Sequence, residues 1–233
     1  MRIFLLAAIL FLPMTTFAGD LLFRSGATQT HLLELYTSEG CSSCPPAEEQ
    51  LSNFRTNPGL WSQIVPVAFH VDYWNGLGWP DRFSSPAFTQ RQQAYADSWG
   101  SGSVYTPEFV LDGREFHGGD ISAPAGTAGN LSATLKPTRD LTIQYQSTTA
   151  VSGLEAHVAT LGMGIESDVR AGENGGRRLH HDFLVLHLIS HPLDSPTSTA
   201  ILSLPADGAK AIAIWITRSG SQAPIQCTGG WLQ

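Results

Sequence analysis

The chain has 233 residues, 42% hydrophobic and 14% charged, which is enough to bury a core in each of two domains of about 100 residues. Its 13 basic and 20 acidic residues give a net charge of −7, and no basic cluster is longer than Arg177 and Arg178, so the electrostatic footprint of a nucleic-acid partner is missing. Three cysteines are too few for a scaffold built on disulfides.

The first eighteen residues have the layout of a secretory signal. Arg2 precedes an apolar run, and the small residues Thr16 and Ala18 predict cleavage before Gly19. The run is shorter than the roughly 20 residues that span a bilayer, and no later stretch reaches that length. We therefore expect a soluble periplasmic or secreted protein with no membrane span after signal cleavage.

The first half of the chain alternates predicted strands and helices. Residues 31–38 and 63–71 are apolar and β-compatible, and each run ends at polar or turn residues. A helix is predicted to begin at the "CSSCPP" segment, because the following apolar residues have helical spacing. The clearest helix runs from a Ser85 cap and Pro86 to a stop at Gly100.

The second half of the chain is predicted to be rich in β-strands. Asp112-Gly113 joins two short strand candidates in a hairpin, and a weak helical stretch follows to about residue 135. Residues 136–138 are interpreted as a linker. Beyond them, apolar segments separated by Gly and Pro turns predict an antiparallel β domain of the sandwich type, with two packed sheets.

Cys41 and Cys44 are the candidate reactive pair. At the start of a helix, free N–H groups and the helix dipole stabilise a thiolate. We expect Cys41 to be the exposed attacking thiol and Cys44 the inner, resolving thiol, and the two to form one disulfide. Cys227 is interpreted as a buried hydrophobic residue. A structural disulfide is the competing interpretation of the pair.

The order of strand, Cys-x-x-Cys, helix, strand, helix and hairpin resembles the thioredoxin fold. The segments "LELYTSEGCSSCPPAEEQL", "FHVDYWNGLGWPDRFSSPAFTQRQQAYA", "VYTPEFVLDG" and "GENGGRRL" are more closely similar to a family of secreted bacterial thioredoxin-like proteins, domain of unknown function 1223. The resemblance implies an α/β thioredoxin-like domain at 25–136 and a β-rich, sandwich-like domain at 139–233. It also implies a cis peptide bond before Pro107, which would face the cysteines.

The sequence differs from thioredoxins at one position of their site. Those proteins carry a buried acid on the first strand, behind the cysteine pair, that moves protons for the inner thiol. Here Leu35 has the corresponding position, and Glu34 faces the other side of a regular strand. This difference argues against ordinary disulfide reductase chemistry.

Several polar and aromatic side chains near the end of the second strand are candidate substrate-binding residues, because ligands often bind at such strand ends. They are His70, Asp72, Tyr73, Trp74 and Trp79, with Thr106 beside Pro107. Packing of the loop onto the fold explains the aromatic residues equally well. His180, His181, His187 and His191 are interpreted as chance polar positions along one strand rather than a metal cluster.

The working hypothesis is thiol-disulfide exchange on exported proteins through Cys41 and Cys44, with no bound cofactor or metal. The expected partners are exported protein thiols or disulfides and a redox partner protein. One alternative is a Cu(I)-handling protein that uses both thiolates and either His70 or His117, since soft thiolates with an imidazole suit Cu(I). The other is a binding module whose disulfide only fixes a loop.

Overall fold

The computed structural model describes residues 19–121, 126–147, 152–193 and 199–232, so the signal sequence predicted at 1–18 lies outside the described residues. The chain forms strands and α-helices, together with two short 3-10 turns at Asn53–Thr56 and Asn75–Leu77. In chain order these elements are β1 (Leu21–Arg24), β2 (His31–Thr37), α1 (Pro45–Ser52), β3 (Ile64–His70), α2 (Pro86–Trp99), β4 (Glu108–Leu111), β5 (Arg114–Glu115), β6 (Asn130–Leu135), β7 (Asp140–Gln146), β8 (Leu154–Gly162), β9 (Ile165–Asp168), β10 (Arg178–His181), β11 (Leu184–Leu193), β12 (Thr199–Ser203), β13 (Ala211–Arg218) and β14 (Pro224–Trp231).

A central sheet joins strands from both halves of the chain. Its order is β14-β13-β8-β11-β3-β2-β4-β5. β3 is parallel to β2 on one side and to β11 on the other. Between β3 and β11, the Ala68 N–H donates to the Phe183 carbonyl at 2.8 Å. Every residue of β2 and β3 is buried, which is typical of strands covered on both faces.

The two faces of β13 show how the layers pack. Ile212, Ile214 and Ile216 contact the core shared with the second sheet, whose order is β1-β6-β7-β12. The alternate residues of β13, including Trp215, contact the core beneath α2. Because side chains alternate across a strand, one half of the central sheet lies between the second sheet and α2.

Both helices begin where the sequence predicts. Ser85 Oγ accepts from the Ala87 N–H, and Gly100 ends α2 with φ of 70° in the left-handed region that glycine favours. Cys44 is the N-cap residue of α1, and prolines occupy its first turn. The apolar face of α1 packs against β2 and β3.

The predicted fold class is wrong. In the described part of the chain two α-helices accompany fourteen strands, and strands from both the predicted α/β unit and the predicted β-rich unit join in one eight-stranded sheet. The physical reason is that β11 pairs with β3, so β8, β13 and β14 extend the same sheet instead of forming a separate β domain. The boundary between domains at 136–139 stays a prediction.

The segment after the first hairpin also differs from expectation. The Asp112-Gly113 turn is confirmed, with φ of 51° and 82°, between paired β4 and β5. The predicted weak helix is wrong where the structure describes it, since residues 130–135 form β6. The predicted linker is a tight turn, in which the Arg139 N–H donates to the Lys136 carbonyl, and it joins β6 to β7.

Among the described residues, no helix is long and apolar enough to cross a membrane.

His157 on β8 is a buried neutral imidazole. Its nitrogens contact Ser190 Oγ at 2.7 Å and Thr217 Oγ1 at 2.9 Å, and its ring stacks on Trp215. Burial, with a smaller effect from the Arg91 charge, lowers the pKa of His157 to about 3. The folded protein therefore keeps this ring unprotonated at pH values where an unfolded chain would protonate it.

We expect His157 to make the protein less stable in mild acid. The unfolded imidazole takes up a proton below its ordinary pKa of about 6.5 while the folded one does not, so the contribution of His157 to the free energy of unfolding should fall by about 2 kcal/mol between pH 7 and pH 5. Urea unfolding at the two pH values measures this. The loss should be smaller in His157→Gln, and an equal loss in both proteins would contradict the assignment.

Candidate functional site

Cys41 and Cys44 form a disulfide, with 5.4 Å between their Cα atoms, just after β2 and at the start of α1. The predicted pairing is confirmed. Cys227 is a free, buried cysteine on β14, and burial raises the pKa of its thiol well above the ordinary value. Its Sγ contacts the Thr30 carbonyl oxygen at 3.0 Å, which fits the predicted role as a packed residue rather than a third reactive thiol.

The predicted exposure of Cys41 is wrong. Both cysteines are 0% exposed, while Ser42 and Ser43 between them are exposed. The disulfide therefore lies just beneath a surface turn rather than on the surface. Part of the cover comes from Ser43, whose Oγ is 3.4 Å from Cys41 Sγ.

The turn at residues 172–176, between β9 and β10, also covers the pair and is named here the 172–176 turn. The Asn174 side-chain amide donates to the carbonyls of Glu39 and Cys41, both at 2.9 Å. The Ser42 N–H donates to the Glu173 carboxylate at 3.0 Å. The sequence gives no local signal for this contact with the cysteines, because the turn lies more than 130 residues away along the chain.

The peptide bond between Thr106 and Pro107 is cis, as the family resemblance implied. Trp74 connects this peptide bond to residues 39–44, named here the cysteine segment. The Trp74 indole N–H donates to Thr106 Oγ1 at 2.8 Å, and a Cβ added to Gly40 would lie 3.0 Å from the Trp74 Cβ. Trp74 therefore lies between the residue before Cys41 and the residue before Pro107.

A cavity of about 410 Å³ opens beside Pro107. Aromatic and aliphatic side chains supply much of its lining, and His117 lies at its rim with a side chain that is 74% exposed. The apolar lining side chains are Leu33, Phe54, Phe109, Phe116 and Ile121. A cavity of this size with an apolar wall suits one or two side chains of an extended peptide.

His70 is fully buried rather than facing a groove. Its Nδ1 lies 2.6 Å from Asp81 Oδ2, which also accepts from the Glu39 N–H at 2.9 Å. Burial raises the pKa of Asp81, but the His70 contact and the backbone N–H donors outweigh it and hold that pKa at about 2. Asp81 is therefore an ionised carboxylate that orients the His70 ring.

His181 lies against His70, with ring centroids 5.0 Å apart at nearly a right angle. Its Nδ1 contacts Glu48 Oε2 on α1, and its Nε2 lies 3.3 Å from Glu39 Oε1. Burial lowers the pKa of His181, but hydrogen bonds to Glu39 and Glu48 outweigh it and raise that pKa to about 9. The interpretation of His181 as a chance polar position is wrong.

The remaining predicted substrate residues divide into two groups. Trp79 belongs to the site, since its indole N–H donates to Glu39 Oε2 at 2.6 Å. Asp72 and Tyr73 contact α2 instead: Thr89 Oγ1 donates to Asp72, and the Tyr73 hydroxyl donates to Gln92 at 3.3 Å. Burial raises the pKa of Tyr73 to about 12. The structure brings His70, Trp74, Trp79 and Thr106 around the cysteine segment.

Glu34 has the orientation that strand periodicity predicts. It is buried on the α2 side of β2, where Arg91 donates to both carboxylate oxygens at 2.8 and 2.9 Å. Leu33 and Leu35, on the opposite side, pack toward α1. Glu34 is therefore committed to an ion pair on the face away from the cysteine helix.

Sequence reasoning missed the buried polar side chains around the pair. These are Glu39, Glu48, Asp81, Asn174 and His181. The one local signal was Glu48, which falls on the apolar face of α1 with Ala47 and Leu51. A carboxylate on a buried face needs a partner, but the sequence does not say which.

The copper alternative finds no support in the arrangement of donors. In the part of the chain that the structure describes, the side chains whose donor atoms all lie within 4.8 Å of one another are Glu48, His70 and His181, without either cysteine. His117 pairs with Glu115 at 3.6 Å on the surface.

Comparison with known proteins gives a family and a fold. Residues 32–217 match a family described as protein of unknown function (DUF1223). A search of curated proteins found no match. The chain is similar to a crystal structure of an Agrobacterium tumefaciens protein, at 24% identity and a TM-score of 0.63, over 87% of this chain and 94% of that one. It is also similar to HBP35 of Porphyromonas gingivalis, at 15% identity and a TM-score of 0.59, over 89% of this chain and 76% of that one. Both likenesses concern the fold alone.

Proposed function

This chain belongs to the DUF1223 family of proteins of unknown function, and from the geometry of its site we propose that it exchanges thiols and disulfides with other proteins through Cys41 and Cys44. The observation that carries the proposal is the Cys41–Cys44 disulfide at the start of α1. A helix N-terminus stabilises the thiolate that leaves when such a bond is attacked. The cavity lined by Pro107 adds a surface for a partner, and Trp74 joins Thr106 to the residue before Cys41.

The proposed exchange has two steps. A partner thiolate attacks Cys41 Sγ, the sulfur–sulfur bond breaks, and its electron pair leaves on Cys44 Sγ, which takes up a proton. The partner's second thiolate then attacks the partner's first sulfur, which is bonded to Cys41 in the mixed disulfide. Cys41 leaves as a thiolate and is protonated in turn. Two electrons and two protons pass from the partner dithiol to the cysteine pair, and the reverse sequence reduces a partner disulfide.

The proposed partners are exported proteins with thiols or disulfides, together with a redox protein that resets the pair. The cavity beside Pro107 would take apolar side chains that flank the partner cysteine. The signal-like segment at 1–18 supports a periplasmic or secreted location, where disulfides persist.

The direct test uses a synthetic peptide that carries two thiols. Mixed with the oxidised protein, the peptide should become disulfide-bonded while Cys41 and Cys44 become reduced, in equal amounts by mass spectrometry. The matched control replaces both cysteines by serine and leaves Cys227 in place. Equal peptide oxidation by the control, or no exchange with the wild-type protein, would contradict the proposal.

Opening of the 172–176 turn is expected to limit attack on the disulfide. Asn174→Ala removes two hydrogen bonds to the cysteine segment, and with about 1 kcal/mol per bond the disulfide should be reduced by dithiothreitol at least about tenfold faster. The measurement is the rate of thiol appearance under native conditions. Asn130→Ala, at an exposed asparagine on β6, is the control. Equal rates for Asn174→Ala and the wild-type protein would mean that another part of the fold limits access.

A further inference from the structure

One buried polar atom near the cysteine segment, His70 Nε2, has no partner among the described residues, and the His70 side chain is 0% exposed. Glu39 Oε1 and His181 Nε2 are also buried without a hydrogen bond of ordinary geometry, but they lie 3.3 Å apart as an ion pair. Buried polar atoms are almost always satisfied, so the exception at His70 requires an explanation. It indicates that a component of the site is missing.

The donor atoms in this cluster converge. One ligand atom from each of Glu48, His70 and His181 lies within 4.8 Å of the other two, and all three residues are buried. They come from α1, β3 and β10, so the tertiary fold rather than a local motif brings them together. Two imidazoles and a carboxylate are donors that Zn²⁺ takes in proteins.

Each of these three side chains also contacts a residue outside the group of three, named here its outer partner. Asp81 Oδ2 lies 2.6 Å from His70 Nδ1, Thr37 Oγ1 donates to Glu48 Oε1 at 2.7 Å, and Glu39 Oε1 lies 3.3 Å from His181 Nε2. Metal-binding histidines commonly donate their second ring N–H to a carboxylate, which fixes the ring and the tautomer. With protons on His70 Nδ1 and His181 Nε2, the lone pairs of His70 Nε2 and His181 Nδ1 are free for an ion.

A proton alone does not account for the cluster. An imidazolium on His181 would satisfy Glu39 and Glu48, but it leaves His70 Nε2 without a partner. A cation that replaces the proton between Glu48 and His181 would also have a ligand atom of His70 within 4.8 Å of its other two donors. The Glu48 oxygen and His181 Nδ1 would then separate to about 3.3 Å, the spacing of neighbouring ligands around a tetrahedral ion with bonds of about 2.0 Å.

We infer that Glu48, His70 and His181 bind one divalent transition-metal ion, best matched by Zn²⁺, with Asp81, Thr37 and Glu39 as the outer partners. A cavity of about 370 Å³, lined by Glu48 and its neighbours on α1 and β10, lies on the Glu48 side of the site, from which an ion would enter. The site is separate from the two sulfur atoms, which supply no ligand to it.

The test uses the full mature chain without a histidine tag, with the Cys41–Cys44 disulfide intact and after treatment with a chelator. Zn²⁺ added in a calorimetric titration should bind at one equivalent per chain and should raise the midpoint of thermal unfolding. Because both sulfurs are in the disulfide, uptake by the oxidised protein also separates this site from a thiolate site for copper. No saturable uptake of Zn²⁺ would overturn the inference.

Variants identify the ligands. His70→Gln and His181→Gln, each checked for a native far-UV circular dichroism spectrum, should lose Zn²⁺ binding, and Glu39→Gln should weaken it by about 10- to 100-fold as an outer partner. His180→Gln is the matched control, since His180 is the exposed neighbour of His181. Retained binding in both histidine variants, or loss in the control, would overturn the site. Should the histidine variants fail to fold, Co²⁺ added to the wild-type protein decides: intense visible absorption of a tetrahedral ion supports the site, and the weak spectrum of a hydrated surface ion overturns it.

Discussion

Replacement of Cys44 by serine is expected to trap partner proteins as mixed disulfides, whereas replacement of Cys41 should trap few or none. The expectation follows from the order of attack: Cys41 lies before α1, beneath the surface turn, while Cys44 is the N-cap residue and leads directly into the first turn of the helix at Pro45. The second thiol normally breaks the mixed disulfide. Without Cys44 the bond to Cys41 has no internal competitor, so the intermediate should persist.

The measurement is a non-reducing gel of each variant from cells that export the protein, followed by identification of the captured chains. Reduction should release them, and the double Cys41→Ser, Cys44→Ser variant should capture none through the site. Pro107→Ala in the Cys44→Ser background should change the amount or set of trapped partners if Pro107 borders the bound peptide. Trapping by Cys41→Ser alone would reverse the assigned roles, and trapping by neither variant would leave a structural disulfide.

Local chemistry made part of this site predictable. The cysteine spacing, the prolines after it and the helical recurrence of Ala47 and Leu51 are enough to predict a disulfide at a helix start. The Ser85 cap and the Gly100 stop likewise predict α2, because each interaction is made within a few residues. These features depend on neighbours in the chain, so the sequence determines them almost directly.

The buried polar cluster could not be predicted in this way. His181 contacts Glu48 across 133 residues, and Asn174 contacts Cys41 across the same separation. Both contacts require β10 and the 172–176 turn to lie against α1 and the residues before it, and β11, which follows β10, pairs with β3 only through a short parallel contact at Leu184 and Ala68. The chain also bends at Phe183, with φ of 56°, so the predicted single strand becomes β10 and β11 and His181 is separated from His187.

The prediction of the fold class was wrong, although the sequence contains a signal against it. β13 is apolar at nearly every position, and seven of its eight residues are buried in the structure. A strand in a two-layer sandwich with one solvent-exposed face would alternate apolar and polar residues, whereas a strand covered on both faces reads as a continuous apolar run. The run in β13 therefore indicated a central strand with a layer on each side. What it did not indicate is that the other side would be α2.

Loss of the ion pair between Glu34 and Arg91 is expected to have the largest effect on stability. Arg91 on α2 donates to both oxygens of Glu34 on β2, and the two side chains are 5% and 1% exposed. The Glu34 carboxylate also accepts from the Tyr36 and Tyr95 hydroxyls, and the guanidinium lies 5.3 Å from the ring centroid of Trp215 on β13. The pair therefore connects α2 to two distant strands of the central sheet.

Arg91→Met should lower the free energy of unfolding by about 3–5 kcal/mol, because the Glu34 carboxylate would be left buried without its counter-charge. Urea unfolding at pH 7 measures the loss. Arg178→Ala, which breaks an exposed pair with Asp168, is the control and should change stability little, since solvent-exposed pairs contribute little.

The double variant Glu34→Leu, Arg91→Met distinguishes the cost of an unpaired charge from the cost of lost packing. If the unpaired charge dominates, the double variant should be more stable than Arg91→Met alone, because no ionised group remains buried. If the packing of the guanidinium on Phe69, Tyr95 and Trp215 dominates, removing the Glu34 carboxylate should restore nothing. We expect the first outcome, since methionine fills much of the space of the arginine stem against these rings while no side chain in Arg91→Met neutralises Glu34.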